Sequence, residues 1–180
     1  YFHRASIEEI LDYTTTGGGA CGLIALPSNT PPTIVQMPSP RYIPKLTPFA
    51  LTCTASDQDQ GDTLTYCWEE FDLGEFEREN TPPSGSMPIF RSRPPTASST
   101  RIFPVISDIL NATPTYGELL PDYARDLIFK MTVRDQRSGT NADTVALHVT
   151  NDGPFYVKNP CTHVVWETQS PQTIRWEVAN

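Results

Sequence analysis

Four aspartates are the residues of this chain that are best suited to chemistry. Asp57, Asp59 and Asp62 lie in one short segment with Gly61, between two stretches in which apolar and polar residues alternate. Alternation with a period of two predicts two half-buried strands, so the acidic segment is a loop between them. Carboxylate oxygens at this spacing are donors that suit calcium. Asp135 ends a later predicted strand, and we expect it to reach the same edge as a fourth candidate ligand.

The acidic loop also has a simpler interpretation as a solvated turn. Aspartate favours turns because its side chain hydrogen-bonds to nearby backbone, and the spacing here differs from that of an EF-hand. In this interpretation Arg134 or Lys130 supplies the counter-charge and no metal is needed.

The rest of the chain offers no catalytic motif. Its three histidines are not at zinc-ligand spacing: His3, His148 and His163. We expect a packing or surface role for His3 and a solvated position for His148. Glu69 and Glu70 are adjacent, beside Asp72, but neighbouring side chains on a strand point to opposite faces. They predict a solvated edge rather than a pair for acid–base catalysis.

Composition narrows the classes of partner. The 180-residue chain carries a formal net charge of −8, with an isoelectric point near 4.8. Nucleic acids and anionic membrane surfaces are therefore excluded as expected partners. Since no apolar run reaches transmembrane length, we expect no membrane insertion. Its 18 prolines and 10 glycines suit a β-rich protein with many loops.

One amphipathic helix is predicted over residues 5–15, with Ser6 as its N-cap and with acidic residues in its first turn. Its apolar stripe is formed by Ile7, Ile10 and Leu11. A single short helix does not bury such a stripe alone, so we expect it to dock against another domain. Gly17 and its neighbours are expected to end the helix, and the proline-rich segment 26–33 predicts an extended linker.

Strand patterns follow at short intervals after the linker. We predict strands at about 33–36, 47–56, 63–70, 88–92, 101–106, 126–134 and 143–150. We expect a helical turn only near residues 118–120. Aromatic residues at strand parity are expected in the core: Tyr66, Trp68, Phe90, Phe103 and Phe129. This density of strands predicts an all-β fold, an immunoglobulin/cadherin-like antiparallel β-sandwich over residues 27–153 with a short N-terminal helix. Alternation resumes at residues 154–180, which we expect to begin a second β-sandwich module.

The four cysteines do not define a disulfide framework by themselves: Cys21, Cys53, Cys67 and Cys161. Four cysteines allow three complete pairings, and free thiols are an equal alternative. Strand parity places Cys53 on the core face and Cys67 on the opposite face, which disfavours a bond between those two.

Several segments together resemble a known family. They include YFHRASIEEI at residues 1–10, TPFALT at 47–52, LTYCWE at 64–69, PIFRS at 88–92 and TIRWEV at 173–178. The chain resembles the region that follows the catalytic domain in secreted bacterial zinc metalloproteases of the reprolysin-like (metzincin) type. The resemblance implies that residues 1–26 are the C-terminal helix and tail of that catalytic domain, and that the protein is extracellular.

The family's zinc-binding helix, His-Glu-x-x-His-x-x-Gly-x-x-His, does not occur here. We therefore expect zinc only in a catalytic domain upstream, and no activity from this chain alone. The expected function is that of an accessory sandwich that supports or spaces the catalytic unit, with the upstream domain and a downstream β-module as partners. The alternative is a binding module for an extracellular protein or glycan, with the 71–100 loop as its recognition surface.

Overall fold

The computed structural model describes residues 1–16, 18–21, 28–75 and 82–178. Two α-helices lie in these ranges, α1 (Arg4–Thr15) and α2 (Ile106–Asn111), together with a 3-10 turn at Gly18–Cys21. The strands are β1 (Thr33–Gln36), β2 (Arg41–Pro44), β3 (Phe49–Thr52), β4 (Thr54–Ser56), β5 (Thr65–Glu70), β6 (Thr100–Phe103), β7 (Arg125–Arg134), β8 (Thr140–Thr150), β9 (Phe155–Asn159) and β10 (Arg175–Val178). The chain is therefore mostly β, as its residue alternation predicts.

The largest sheet has four strands in the order β2-β8-β7-β5. The pairs β7–β8 and β5–β7 are antiparallel, and the tight loop at residues 135–139 joins the first pair. Strand β2 is parallel to β8, so the prediction of a wholly antiparallel arrangement is wrong at this pair. Sequence patterns did not reveal β2, because it is short, ends in Pro44 and follows two prolines, which usually mark loops.

Three two-stranded pairs complete the strand pairing of the described residues: β1–β4, β3–β6 and β9–β10. The core forms where the apolar faces meet. On β7, alternate residues are fully buried: Leu127, Phe129, Met131 and Val133. Their counterparts on β8 are also buried: Val145, Leu147 and Val149. Burial of each such side chain stabilises the fold by roughly 1.5–3 kcal/mol.

Aromatic rings form the centre of this core. Phe49 stacks on Phe103 with ring centroids 4.9 Å apart, while Phe90 and Phe129 pack around them at an angle. Trp68 is also buried, and its indole Nε1 donates to the carbonyl of Ser99 over 3.0 Å. The predicted aromatic core is confirmed for these residues, although Tyr66 is only half-buried against it.

The segment at 88–92 is not a strand, contrary to prediction. It makes only an isolated bridge between Phe90 and Glu118, because the backbone amides of Ile89 and Phe90 donate to the side chain of Glu70. The helical turn expected near residues 118–120 is also wrong. A helix forms earlier instead, at Ile106–Asn111, and ends at Ala112 in the left-handed conformation.

Helix α1 begins at Arg4, with His3 in the N-cap position and without a side-chain capping bond, so the predicted cap at Ser6 is wrong. The helix ends at Thr15; Gly17, one of the predicted terminators, lies outside the described residues. No helix in the described ranges is both long and apolar enough to cross a membrane.

The two strand cysteines lie on different faces, as parity predicts, because Cys53 belongs to the core cluster and Cys67 does not. Cys53 and Cys67 are both buried, with Cys67 covered from its own side of the sheet; its Sγ donates to the carbonyl of Arg93 over 3.2 Å. Cys53, Cys67 and the exposed Cys161 are free thiols. The side chain of Cys21 lies outside the described part of the chain.

Candidate metal centre

Three of the four candidate aspartates meet at one edge of the protein. Asp57, Asp62 and Asp135 each offer a carboxylate oxygen, and these oxygens lie within 4.8 Å of one another. Asp57 directly follows β4, and Asp135 directly follows β7. Two strands that are distant in the sequence therefore end side by side, and this juxtaposition creates the cluster.

The loop at residues 57–62 is folded back on itself. Asp57 Oδ1 accepts a hydrogen bond from the amide of Asp59 over 2.9 Å, which is the geometry of an Asx turn. Gly61 then adopts φ +91°, which favours glycine because it has no Cβ. The turn returns the chain so that the side chain of Asp62 lies beside that of Asp57.

Asp135 is fully buried and held by three donors. Its Oδ1 accepts from the amides of Arg137 and Gly139 over 2.7 and 2.9 Å, and its Oδ2 accepts from Asn29 Nδ2 over 2.6 Å. Burial acts to raise the pKa of Asp135, but these hydrogen bonds outweigh it and hold the pKa below its ordinary value. Asp135 is therefore an anion at neutral pH. A Cβ atom at position 139 would clash with this carboxylate, so the close approach requires Gly139.

Asp62 is the least satisfied member of the cluster. Its side chain is 0% exposed, and its Oδ2 finds no hydrogen-bond donor among the described residues. Its Oδ1 lies 2.8 Å from Arg137 Nε, an ion pair whose angles are not those of a hydrogen bond. Asp57 Oδ2 is likewise buried and without a donor. Buried carboxylate oxygens without partners are costly, and a cation between them would remove that cost.

The counter-charge near the cluster comes from Arg137. The expectation that Arg134 or Lys130 would supply it is wrong, because Lys130 pairs with Glu8 and Arg134 donates to the carbonyl of Phe2. The Arg137 side chain is 63% exposed, so it is free to move away from Asp62 when a stronger cation binds.

Asp59 lies outside the group of three. Its Oδ2 accepts a hydrogen bond from the amide of Thr30 over 2.6 Å, so this carboxylate positions the segment before β1. A polar cavity of about 450 Å³ opens beside it, lined by Ser28, Asn29, Asp59, Gln60 and Arg137. No sequence pattern marks Asn29 or Arg137 as members of this site. The only available signal was their place in turn-rich segments next to predicted strand ends.

The donors of the cluster are all hard oxygens. Calcium and magnesium prefer such ligands, whereas zinc in proteins usually takes histidine or cysteine. The described residues therefore fit a hard divalent cation at Asp57, Asp62 and Asp135. The zinc expected from the resemblance would need a histidine-rich site, which is a different kind of site from this one.

A second polar cluster is centred on Glu69, which is buried rather than solvated as predicted. Glu69 Oε1 lies 2.8 Å from both His3 Nδ1 and Ser92 Oγ, and Oε2 accepts from the amide of Arg4 over 2.9 Å. Serine, histidine and glutamate thus meet, but the glutamate occupies the middle. Acyl transfer requires the histidine between the other two, so this cluster is a docking contact for α1.

Glu70 points to the opposite face, as strand alternation predicts, and it is buried too. Its Oε2 accepts from the amides of Ile89 and Phe90 over 2.7 and 2.6 Å. Arg125 Nη2 lies 3.5 Å from Glu70 Oε1 and 3.3 Å from Asp72 Oδ2. Burial, with Asp72 close by, raises the pKa of Glu70 to about 8. This cluster ties the chain on both sides of residues 76–81 to the sheet.

The remaining predicted residues have simple surroundings. His148 is not merely solvated, because its Nδ1 lies 2.6 Å from Asp126 Oδ1. Arg93 Nε forms an ion pair with the buried Glu118 over 2.7 Å.

No known family model matches this chain, and no curated protein matches it either.

Proposed function

We propose that this chain is a calcium-binding accessory β-sandwich, immunoglobulin/cadherin-like, that supports the catalytic domain of a secreted zinc metalloprotease and performs no chemistry itself. The observation that carries the calcium part is the buried Asp62 Oδ2, which lacks a hydrogen-bond donor and lies beside the carboxylates of Asp57 and Asp135. Such an arrangement is expensive without a cation and favourable with one.

The dimensions of the cluster favour calcium. Oxygens bind calcium at about 2.3–2.6 Å, so ligands on opposite sides of the ion are separated by about 5 Å. The oxygens of Asp57, Asp62 and Asp135 lie within 4.8 Å of one another and fit inside that shell. Magnesium requires a nearly ideal octahedron at about 2.0–2.1 Å and retains most of its water, which suits this irregular pair of loops less well.

The supporting role is argued from the way α1 is held. Glu69 binds His3 and the amide of Arg4, and Lys130 Nζ lies 2.6 Å from Glu8 Oε1. These contacts are on the polar side of the helix. Any domain joined to α1 would therefore have a defined orientation on the sheet.

Two of the three apolar stripe residues of α1 are exposed, whereas Ile7 is half-buried and lines a cavity with Thr65 and Arg134 of the sandwich. Ile10 and Leu11 are each 46% exposed, and Tyr13 is 61% exposed. The sandwich thus holds α1 mainly through polar contacts and leaves Ile10 and Leu11 uncovered. We assign these two exposed residues, with Tyr13, to the contact with the catalytic domain.

Calorimetric titration with calcium tests the proposal most directly, together with thermal unfolding in chelator and in calcium. At a calcium concentration about 100 times Kd, binding would stabilise the folded state by about 2.7 kcal/mol. Identical melting in both conditions, with no heat of binding, would contradict the calcium role. A test of the supporting role is to add this chain to the matching catalytic domain and measure the melting temperature of that domain.

A second candidate is the binding module for a protein or glycan through the 71–100 loop. The observation in its favour is a cavity of about 280 Å³, whose wall includes Tyr66, Arg93, Thr96 and Arg101. Part of this wall belongs to the loop. Reproducible retention on a glycan array or by extracellular proteins, lost on Arg93→Ala, would favour this candidate over the accessory role.

A further inference from the structure

We propose that Asn29 supplies a further ligand to the cation, so that calcium fastens residues 28–32 to the edge of the sandwich. This inference rests on the proposed calcium site and extends it to a part of the chain in which no carboxylate is present. It also assigns a role to the cavity beside Asp59 and Arg137.

Residues 28–32 already contact both loops of the site. Asn29 Nδ2 lies 2.6 Å from Asp135 Oδ2, and the amide of Thr30 lies 2.6 Å from Asp59 Oδ2. Pro32 is fully buried, and its carbonyl accepts from Asn141 Nδ2 over 3.0 Å. The segment predicted to be an extended linker is therefore attached to the sandwich by three hydrogen bonds.

The side chain of Asn29 is close to the position of a neighbouring ligand. In the pentagonal plane of a calcium shell, oxygens at about 2.3–2.6 Å from the ion lie roughly 2.7–3.1 Å from each other. The amide nitrogen of Asn29 is 2.6 Å from Asp135 Oδ2, so a small outward shift of the amide brings it to that separation. Rotating the amide by half a turn places Oδ1 where Nδ2 was, and the two atoms are almost equal in size. Asn29 then changes from a donor to the carboxylate into a ligand of the ion.

The unsatisfied carboxylate oxygens that carry the proposed calcium site also favour a cation at this spot. Asp62 Oδ2 and Asp57 Oδ2 are both buried without donors among the described residues. The nearby guanidinium of Arg137 reaches only Asp62 Oδ1, and its side chain is largely exposed. A divalent ion held by three carboxylates and one amide displaces the guanidinium of Arg137. The Arg137 side chain then lies in the adjoining cavity, where water solvates it.

The decisive experiment measures calcium affinity in three variants of the full chain. Asn29→Ala removes the ligand, and we expect affinity to fall about tenfold or more. Asn29→Asp replaces the amide with a carboxylate oxygen, and we expect affinity equal to or above that of the unchanged protein. Asn141→Ala is the matched control, because it loosens Pro32 without removing any ligand. We expect its calcium affinity to stay within about threefold of that of the unchanged protein. This change is clearly smaller than the loss of about tenfold or more expected for Asn29→Ala.

Hydrogen exchange of residues 28–33, with and without calcium, supplies the second measurement. We expect calcium to slow exchange there in the unchanged protein and in Asn29→Asp, but not in Asn29→Ala. Unchanged affinity in Asn29→Ala, or an equal loss in Asn141→Ala, would overturn the assignment of Asn29 while leaving the calcium site intact. An absence of calcium binding in the unchanged protein would overturn the proposed function itself.

Discussion

His3 Nδ1 lies 2.8 Å from Glu69 Oε1, although 66 positions separate the two residues in the chain. This contact joins the start of α1 to strand β5 and leaves Glu69 buried with three donors around it. A carboxylate that a strand pattern would assign to solvent is instead the anchor of the N-terminal helix.

Removal of this anchor is expected to release α1. In Glu69→Ala the donors from His3, Arg4 and Ser92 lose their common acceptor, and each lost hydrogen bond costs about 0.5–1.5 kcal/mol. We expect faster hydrogen exchange along Arg4–Thr15 and a lower melting temperature. Ser92→Ala is the control, because it removes one donor and keeps the acceptor. Equal helix protection in Glu69→Ala and the unchanged protein would contradict the anchoring role.

Acid is expected to loosen α1 as well. The hydrogen bond from Lys130, and to a smaller degree that from Arg4, lowers the pKa of Glu8 despite partial burial. A lowered pKa contributes stability above the ordinary glutamate value, and that stability is lost as the pH falls below about 4.3. Helix amides should therefore exchange faster at pH 3 than at pH 6 after correction for intrinsic rates. Glu8→Gln should show a smaller change over this interval; an identical change would count against the pair.

Glu70 should have the opposite effect to Glu8 on how the stability of the protein depends on pH. Its pKa in the folded state is raised to about 8 by burial and by Asp72. The protonated carboxyl is thus favoured by folding, so its contribution is full below about pH 4.3 and declines as the pH rises toward 8.

Glu70→Gln mimics the protonated form and still accepts from Ile89 and Phe90. We expect the difference in unfolding free energy between wild type and variant to shift against wild type by about 2–4 kcal/mol between pH 5 and pH 8. Urea denaturation at both pH values measures it, with Asp122→Asn, at an exposed position, as a control. Parallel pH profiles of wild type and Glu70→Gln would refute the assignment.

The thiols are expected to differ strongly in reactivity. Burial raises the pKa of Cys53 and of Cys67 to about 11, whereas Cys161 is exposed. Because the thiolate is the reactive form, iodoacetamide at pH 8 should label Cys161 much faster than the two buried residues. Peptide mapping after timed labelling gives the rates. Equal rates at the three sites in folded protein would show that the buried thiols are accessible.

Two aspartates of one loop should respond differently to neutralisation. Asp62→Asn removes the buried charge that demands a cation, so calcium should no longer raise the melting temperature. Asp59→Asn leaves the three-carboxylate group intact and only weakens the contact with Thr30, so most of the calcium response should persist. Melting in chelator and in calcium distinguishes them. A full calcium response in Asp62→Asn would place the ion elsewhere.

The sequence by itself determined the features that depend on local patterns. Alternation over β7 and β8 identified the strands and their apolar faces, because a side-chain period of two holds wherever the backbone is extended. The acidic loop at 57–62 was also visible, since its aspartates are close in the chain. Its proximity to Asp135 was anticipated from the two strand ends.

Only the tertiary structure decided which residues are covered and which distant segments meet. Parity tells which face of a strand a residue occupies, but it does not tell whether another segment covers that face, and so the burial of Glu69, Glu70 and Cys67 was not foreseen. The parallel pairing of β2 with β8, and the contact of Asn29 with Asp135 across 106 positions, have no local signal. Such contacts arise because the packed chain as a whole minimises exposed apolar surface and unpaired polar groups.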